Sequence, residues 1–141
     1  MRGPSRELRI LLVEDDEVDV LCMKRFFDPK PGCRLTVVNN GYDGLERLRA
    51  WTQESPAPTV VLLDLNLPRM GGLEFLDELR SEPGIASTVV FVVTTSTDPG
   101  DVGAAWQRNV AGYLAKSRPE EFELKLESLD RYIHALELPC G

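Results

Sequence analysis

Cysteine is scarce in this sequence: Cys22, Cys33 and Cys140 form an odd set with no C-x-x-C spacing. That argues against a disulfide framework and against a zinc site, and it fits a reducing compartment. Cys22 lies in an apolar-rich segment and reads as a small core residue. Histidine is rarer still, and the one copy, His134, falls late in the chain, far from every strand end; it reads as structural or surface. No apolar run approaches membrane-spanning length, and Met1–Glu7 lacks the apolar core of a signal peptide. The expectation is a soluble, cytoplasmic protein with no membrane partner. Lysine and arginine number 16 against 23 aspartates and glutamates, a net charge of −7 with no basic stripe to offset it. Direct nucleic-acid binding is therefore set aside. The chain also lacks a G-x-x-x-x-G-K-[ST] loop, which removes support for nucleotide hydrolysis. With no repeat, biased tract or linker, residues 1–141 read as a single domain, its core at roughly 7–138, with no output domain attached.

What the sequence does contain is a regular alternation. Short runs rich in Val, Leu and Ile occur at Leu8 to Val13, Arg34 to Val38, Thr59 to Leu63, Thr88 to Val93 and Gly112 to Ala115. Their hydrophobicity is continuous, which predicts strands covered on both faces, as in a parallel sheet. The segments between them carry helical spacing. Glu17 to Phe27 has apolar residues at Val18, Leu21, Cys22 and Phe26 and ends against Pro29 and Pro31-Gly32. Gly41 to Gln53 turns Leu45 and Leu48 inward, and Gly72 to Arg80 stops at Pro83-Gly84. Asp98-Pro99 predicts an N-cap with Pro in the first turn of a fourth helix reaching Asn109. A last helix begins near Pro119, with Phe122, Leu126, Leu129, Ile133 and Leu136 on one stripe. Five strands alternating with five helices predict a doubly wound α/β sandwich, a flavodoxin-like five-stranded parallel sheet in the order 2-1-3-4-5.

In such a sheet ligands bind beyond the carboxyl ends of the strands. Glu14, Asp15 and Asp16 follow the first run, Asp64 the third, Thr94 the fourth and Lys116 the fifth. Carboxylates gathered at one edge repel one another unless a cation offsets them. A hard divalent ion with oxygen ligands does so, and Mg²⁺ suits a site with few carboxylates. Lys116 adds a fixed positive charge. Such a site can stabilise a metaphosphate-like transition state, with Asp64 as a carboxylate nucleophile that forms an acyl phosphate.

Four stretches, Leu12-Val13-Glu14-Asp15-Asp16, Leu63 to Gly72, Val93-Thr94-Thr95-Ser96 and Gly112 to Lys116, resemble bacterial response-regulator receiver domains. The resemblance covers nearly the whole chain, with its motifs in order and on the expected elements. It implies that Asp64 is the phosphoacceptor. It further implies that Asp15 is a direct Mg²⁺ ligand, that Glu14 is the second acid, acting largely through metal-bound water, and that Asn66 lends a backbone carbonyl. Thr94 is implied to hydrogen-bond the phosphoryl oxygens, Lys116 to pair with them, and Tyr113 to be the aromatic switch residue. The implied partner is a sensor histidine kinase. The Leu-Val-Glu-Asp-Asp opening and the Tyr113 to Ser117 segment further resemble small regulators paired with bacterial phytochromes. That likeness implies a light-sensing kinase and a homodimer through the fourth helix, fifth strand and fifth helix. Two departures stand out. Ser117 replaces the frequent Pro after the lysine, so a trans bond is expected there, and Glu14 replaces the more frequent Asp.

Taken singly, several of these residues have plainer readings. Asp64 could cap a turn before Pro68, and Lys116 could be a solvated lysine; their joint placement at one edge decides for a site. Asp16 reads as a helix N-cap, Thr95 and Ser96 as loop residues, and Trp51 and Trp106 as packing residues. An aspartate-nucleophile phosphatase is disfavoured because Glu14-Asp15-Asp16-Glu17-Val18 does not match D-x-D-x-T. A degenerate receiver is disfavoured because every key side chain is present.

Overall fold

Runs of β-branched residues and stretches of helical period alternate along the chain, and the computed structural model, which describes residues 7–139, folds them into five β/α units. These are β1 (Leu8–Val13), α1 (Glu17–Phe27), β2 (Cys33–Val38), α2 (Gly41–Trp51), β3 (Thr59–Leu63), α3 (Gly72–Ser81), β4 (Val89–Thr94), α4 (Pro99–Gln107), β5 (Gly112–Ala115) and α5 (Pro119–Ala135). All strand pairs are parallel, in the order β2-β1-β3-β4-β5. Met1–Arg6, Cys140 and Gly141 lie outside the described residues.

Alternation along the strands sorts the core into two layers. Leu11, Val13, Val61, Leu63, Val90 and Val92 pack with Leu45, Leu48, Phe75, Leu76, Leu79 and Ala105 of α2, α3 and α4. Ile10, Leu12, Val60, Leu62, Phe91 and Val93 pack with Met23, Phe27, Phe122, Leu126, Leu129 and Ile133 of α1 and α5. Fully burying such a side chain stabilises the fold by roughly 1.5–3 kcal/mol. The inner strands β1, β3 and β4 are thus the most firmly held part of the molecule, and they end at one edge.

Several expectations require correction. The buried face of α1 is Met23 and Phe27, with Val20 and Phe26 packed beside them, whereas Val18 and Leu21 are 69% and 51% exposed. Cys22 is exposed and is not a core residue. The larger Met23 and Phe27 take the inward face, and that rotation turns Val18, Leu21 and Cys22 outward. Trp106 is 49% exposed, so packing does not account for it, whereas Trp51 does pack against the core. The outer strands β2 and β5 are only partly covered. β4 runs from Val89 to Thr94, which makes Thr94 the last strand residue; β2 begins one residue early, at Cys33. α2 ends at Trp51, α3 continues to Ser81 and α4 ends at Gln107, ahead of Asn109, whose positive φ of 61° cannot continue a helix. Asp98 caps α4 and Asp16 caps α1, as expected.

At the edge where the strands begin, one side chain ties two connections together. Arg80 donates to the carbonyls of Ala86 (2.8 Å) and Thr88 (2.7 Å), ahead of β4, and to those of Arg108 and Asn109 (both 2.9 Å), ahead of β5. Arg108 in turn pairs with Asp77 of α3 at 2.7 Å. The far end of α4 is therefore fastened to α3 and β4.

Candidate functional site

Backbone hydrogen bonds continue the sheet one residue past three strands. Glu14 N donates to Val38 O (3.0 Å), Asp64 N to Val13 O (3.1 Å) and Lys116 N to Thr94 O (2.7 Å). The backbones that carry these side chains are thus held as rigidly as the sheet itself.

Glu14 is 2% exposed and Asp64 7%, while Asp15 is open to solvent. One carboxylate oxygen from each lies within 4.8 Å of the others. Asp64 Oδ1 accepts from the Thr94 hydroxyl at 2.7 Å and from the Asn66 amide at 3.3 Å. Lys116 Nζ donates to Glu14 Oε1 (2.5 Å) and Asp19 Oδ2 (2.7 Å) and stands 3.7 Å from Asp64 Oδ2. Glu14 Oε2 accepts from the Asp16 amide at 3.3 Å. Tyr113, half-buried, donates its hydroxyl to Ser96 O (2.9 Å), and Ser96 Oγ donates to Asp101 Oδ2 (2.6 Å). All the residues anticipated from the strand ends therefore meet at this edge. His134 does not, and is exposed on α5. No peptide bond among the described residues is cis, so Lys116–Ser117 is trans.

The loop that carries Asp64 is shaped by close contacts. Gly72 N donates to Leu65 O at 3.0 Å. A Cβ at Gly72 would fall 2.6 Å from Leu65 Cα and 2.7 Å from Asp64 O, so only glycine lets α3 start this near the acid. Arg69 turns the loop with φ of 65°, and Met70 is buried against Gly41.

The electrostatics reflect crowding. Burial pushes the Glu14 pKa up from its ordinary 4.5 to about 7; neighbouring Asp64 pushes the same way and Lys116 pulls against both. For Lys116 burial works downward, yet its hydrogen bonds to Asp19 and Glu14 outweigh this and the net direction is up. Burial also pushes the Tyr113 phenol up. Buried acids held this close favour a cation between them. Three carboxylates offer hard oxygen donors, so the set fits Mg²⁺ or a similar ion better than a soft metal.

Sequence reasoning missed Asp19. Three residues after the Asp16 N-cap, it reads as one more acid in the first turn of a helix. Its contact with Lys116, 97 residues away, is visible only in three dimensions.

Comparison with known proteins bears on this arrangement. Residues 10–127 match the family model of the response regulator receiver domain. The chain is 35% identical over 112 residues to response regulator Rcp1 of Synechocystis sp., which covers 77% of this chain and 76% of Rcp1. It superposes with a TM-score of 0.86 on a crystal structure of the phosphorylated cyanobacterial phytochrome response regulator RcpA, at 25% identity over 94% of this chain and 99% of that one. A crystal structure of the Mn(2+)-bound form of Rcp1 gives a TM-score of 0.83 at 29% identity, with the same shares covered.

Proposed function

This chain belongs to the response regulator receiver domain family, and from that premise we propose that it takes a phosphoryl group onto Asp64 from a sensor histidine kinase. The observation that carries the reading is the convergence of Asp64 with Glu14, Asp15, Thr94 and Lys116 at one strand edge. An Asp64 carboxylate oxygen attacks phosphorus, the P–N bond to the donor imidazole breaks, and its electron pair returns to the ring nitrogen. Thr94 exchanges its bond to Asp64 Oδ1 for one to a phosphoryl oxygen, and Lys116 closes on another. Glu14, Asp15, Asp64 and the Asn66 backbone carbonyl would hold Mg²⁺, which when bound offsets the negative charge gathered there. The Mn(2+)-bound form of Rcp1 supports a divalent ion here.

Phosphorylation adds substantial charge and acceptor oxygens, which can bias a two-state surface. Movement of Thr94 draws on the loop at Ser96, and the Tyr113 hydroxyl, which donates to Ser96 O, follows. Tyr113 is the switch residue in this reading. The output is a changed contact with a partner protein or a second copy, not turnover of a substrate. Exposed Trp106, Leu124 and Tyr132 on α4 and α5 support self-association across α4, β5 and α5. The likeness to Rcp1 and RcpA supports a bacteriophytochrome-type kinase as donor, and a kinase that draws on ATP supports a cytoplasmic setting. The acidic balance supports neither nucleic acid nor membrane as a partner.

Acetyl phosphate with Mg²⁺ is expected to add one phosphate equivalent to the wild type, seen by intact mass, and none to Asp64→Asn. Phosphate gained by Asp64→Asn would refute the acceptor assignment. Sizing before and after the reaction reads the change in self-association.

A further inference from the structure

We propose that Asp19 is a positioning residue for Lys116, holding its ammonium beside Asp64 once a divalent cation engages Glu14. The proposal rests on the phosphoacceptor reading and adds to it a residue outside the strand-end set. Lys116 Nζ is shared among three carboxylates: Glu14 at 2.5 Å, Asp19 at 2.7 Å and Asp64 at 3.7 Å. Glu14 and Asp64 belong to the group of oxygens that can hold a metal, and Asp19 does not. A cation on that group competes with Lys116 for the Glu14 carboxylate, so the bond to Asp19 is the one that survives outside the group.

Such an anchor matters because lysine is a point charge on a flexible four-carbon stem, unlike the preorganised fork of arginine. Without it the ammonium must be ordered afresh at each phosphoryl transfer, and orientation of this kind is part of the barrier. Asp19 is itself firmly placed. It lies in the first turn of α1, its amide donates to Asp16 Oδ1 at 3.1 Å, and the helix is seated in the core by Met23 and Phe27. Its side chain is 31% exposed against 8% for Lys116, so it approaches the buried ammonium from the mouth of the site.

The test compares wild type, Asp19→Ala, Asp19→Asn, Asp19→Glu and, as a control for acids in the same helical turn, Glu17→Ala. Two quantities are read in saturating Mg²⁺: the ¹⁵Nζ ammonium NMR signal of Lys116, which needs an ordered ion pair, and the rate of phosphorylation by acetyl phosphate. Wild type and Glu17→Ala are expected to keep both. Asp19→Ala is expected to lose the signal and to react roughly tenfold more slowly, the scale of one charge-assisted hydrogen bond. Asp19→Glu should recover part of each. A Lys116 signal that persists in Asp19→Ala, or a rate equal to or above wild type, overturns the proposal. If Asp19→Ala does not fold, Asp19→Asn decides by the same criteria. If the wild type accepts no phosphate, the phosphoacceptor reading fails, and the ammonium signal still decides whether Asp19 positions Lys116.

Discussion

Glu14 stands between opposing influences, since burial and Asp64 favour its neutral form while Lys116 favours the charged one. With the pKa lifted from 4.5 to about 7, the folded, metal-free protein holds a proton there that the unfolded chain has released. The stabilising share of Glu14 is therefore full below about pH 4.5 and is lost as pH rises through about 7. Mg²⁺ should release protons on binding near neutral pH, measured by calorimetry in two buffers of different ionisation enthalpy. The gain in Tm on adding Mg²⁺ should also widen from about pH 5.5 to about pH 8. Binding at pH 7 with no net proton release would contradict this picture. Gly72 offers a second test. Its replacement by alanine drives a methyl into Leu65 Cα and Asp64 O. We expect Gly72→Ala to cost about 1–3 kcal/mol in denaturant unfolding and to slow phosphorylation by displacing the acid.

Among the helices, α4 is the least firmly built. Ala105 is its one buried residue among those described, and Gly100 and Gly103 weaken a helix of nine residues. A Cβ at Gly103 meets nothing within 4 Å, so Gly103→Ala is expected to stabilise the protein by about 0.5–1 kcal/mol, read as a raised urea midpoint at unchanged slope. A lowered midpoint would mean that α4 depends on Gly103 in a way its surroundings do not show. The same contrast explains what could be read from the sequence. β1, β3 and β4 were legible because apolar runs end sharply at Glu14, Asp64 and Thr94. α5 was legible because Phe122, Leu126, Leu129 and Ile133 form one apolar stripe, and charged residues such as Glu120, Glu121, Glu123, Glu127 and Arg131 dominate the rest of the helix. α1 was placed correctly but rotated wrongly, because Val18, Val20, Leu21, Cys22, Met23, Phe26 and Phe27 leave more than one face apolar. Asp19 and Arg80 were illegible for another reason: the partners of each are distant in sequence, and a charged residue within a helix carries no mark of what it will meet.

At the scale of the whole molecule, a net charge of −7 surrounds a site that, on the proposed reading, admits an anionic donor. Raising ionic strength from about 0.01 M to about 0.1 M shortens the Debye length from about 30 Å to about 10 Å. With Mg²⁺ kept saturating, phosphorylation by acetyl phosphate should accelerate over that range in stopped-flow measurements; a rate that falls would show that local attraction outweighs the global field. The fastening at Arg80 sets where such an event can be felt. α4 is secured at its far end by Arg80 and the Arg108–Asp77 pair, whereas near the site it is held by the Asp98 cap and by Ser96 on Asp101. A rod pinned at one end can only swing. Nine residues make a lever of about 13 Å, so a tilt too small to disturb Arg108 would still sweep the Ser96 end sideways, and its stroke would be greatest at the turn that the Tyr113 hydroxyl and Thr94 contact.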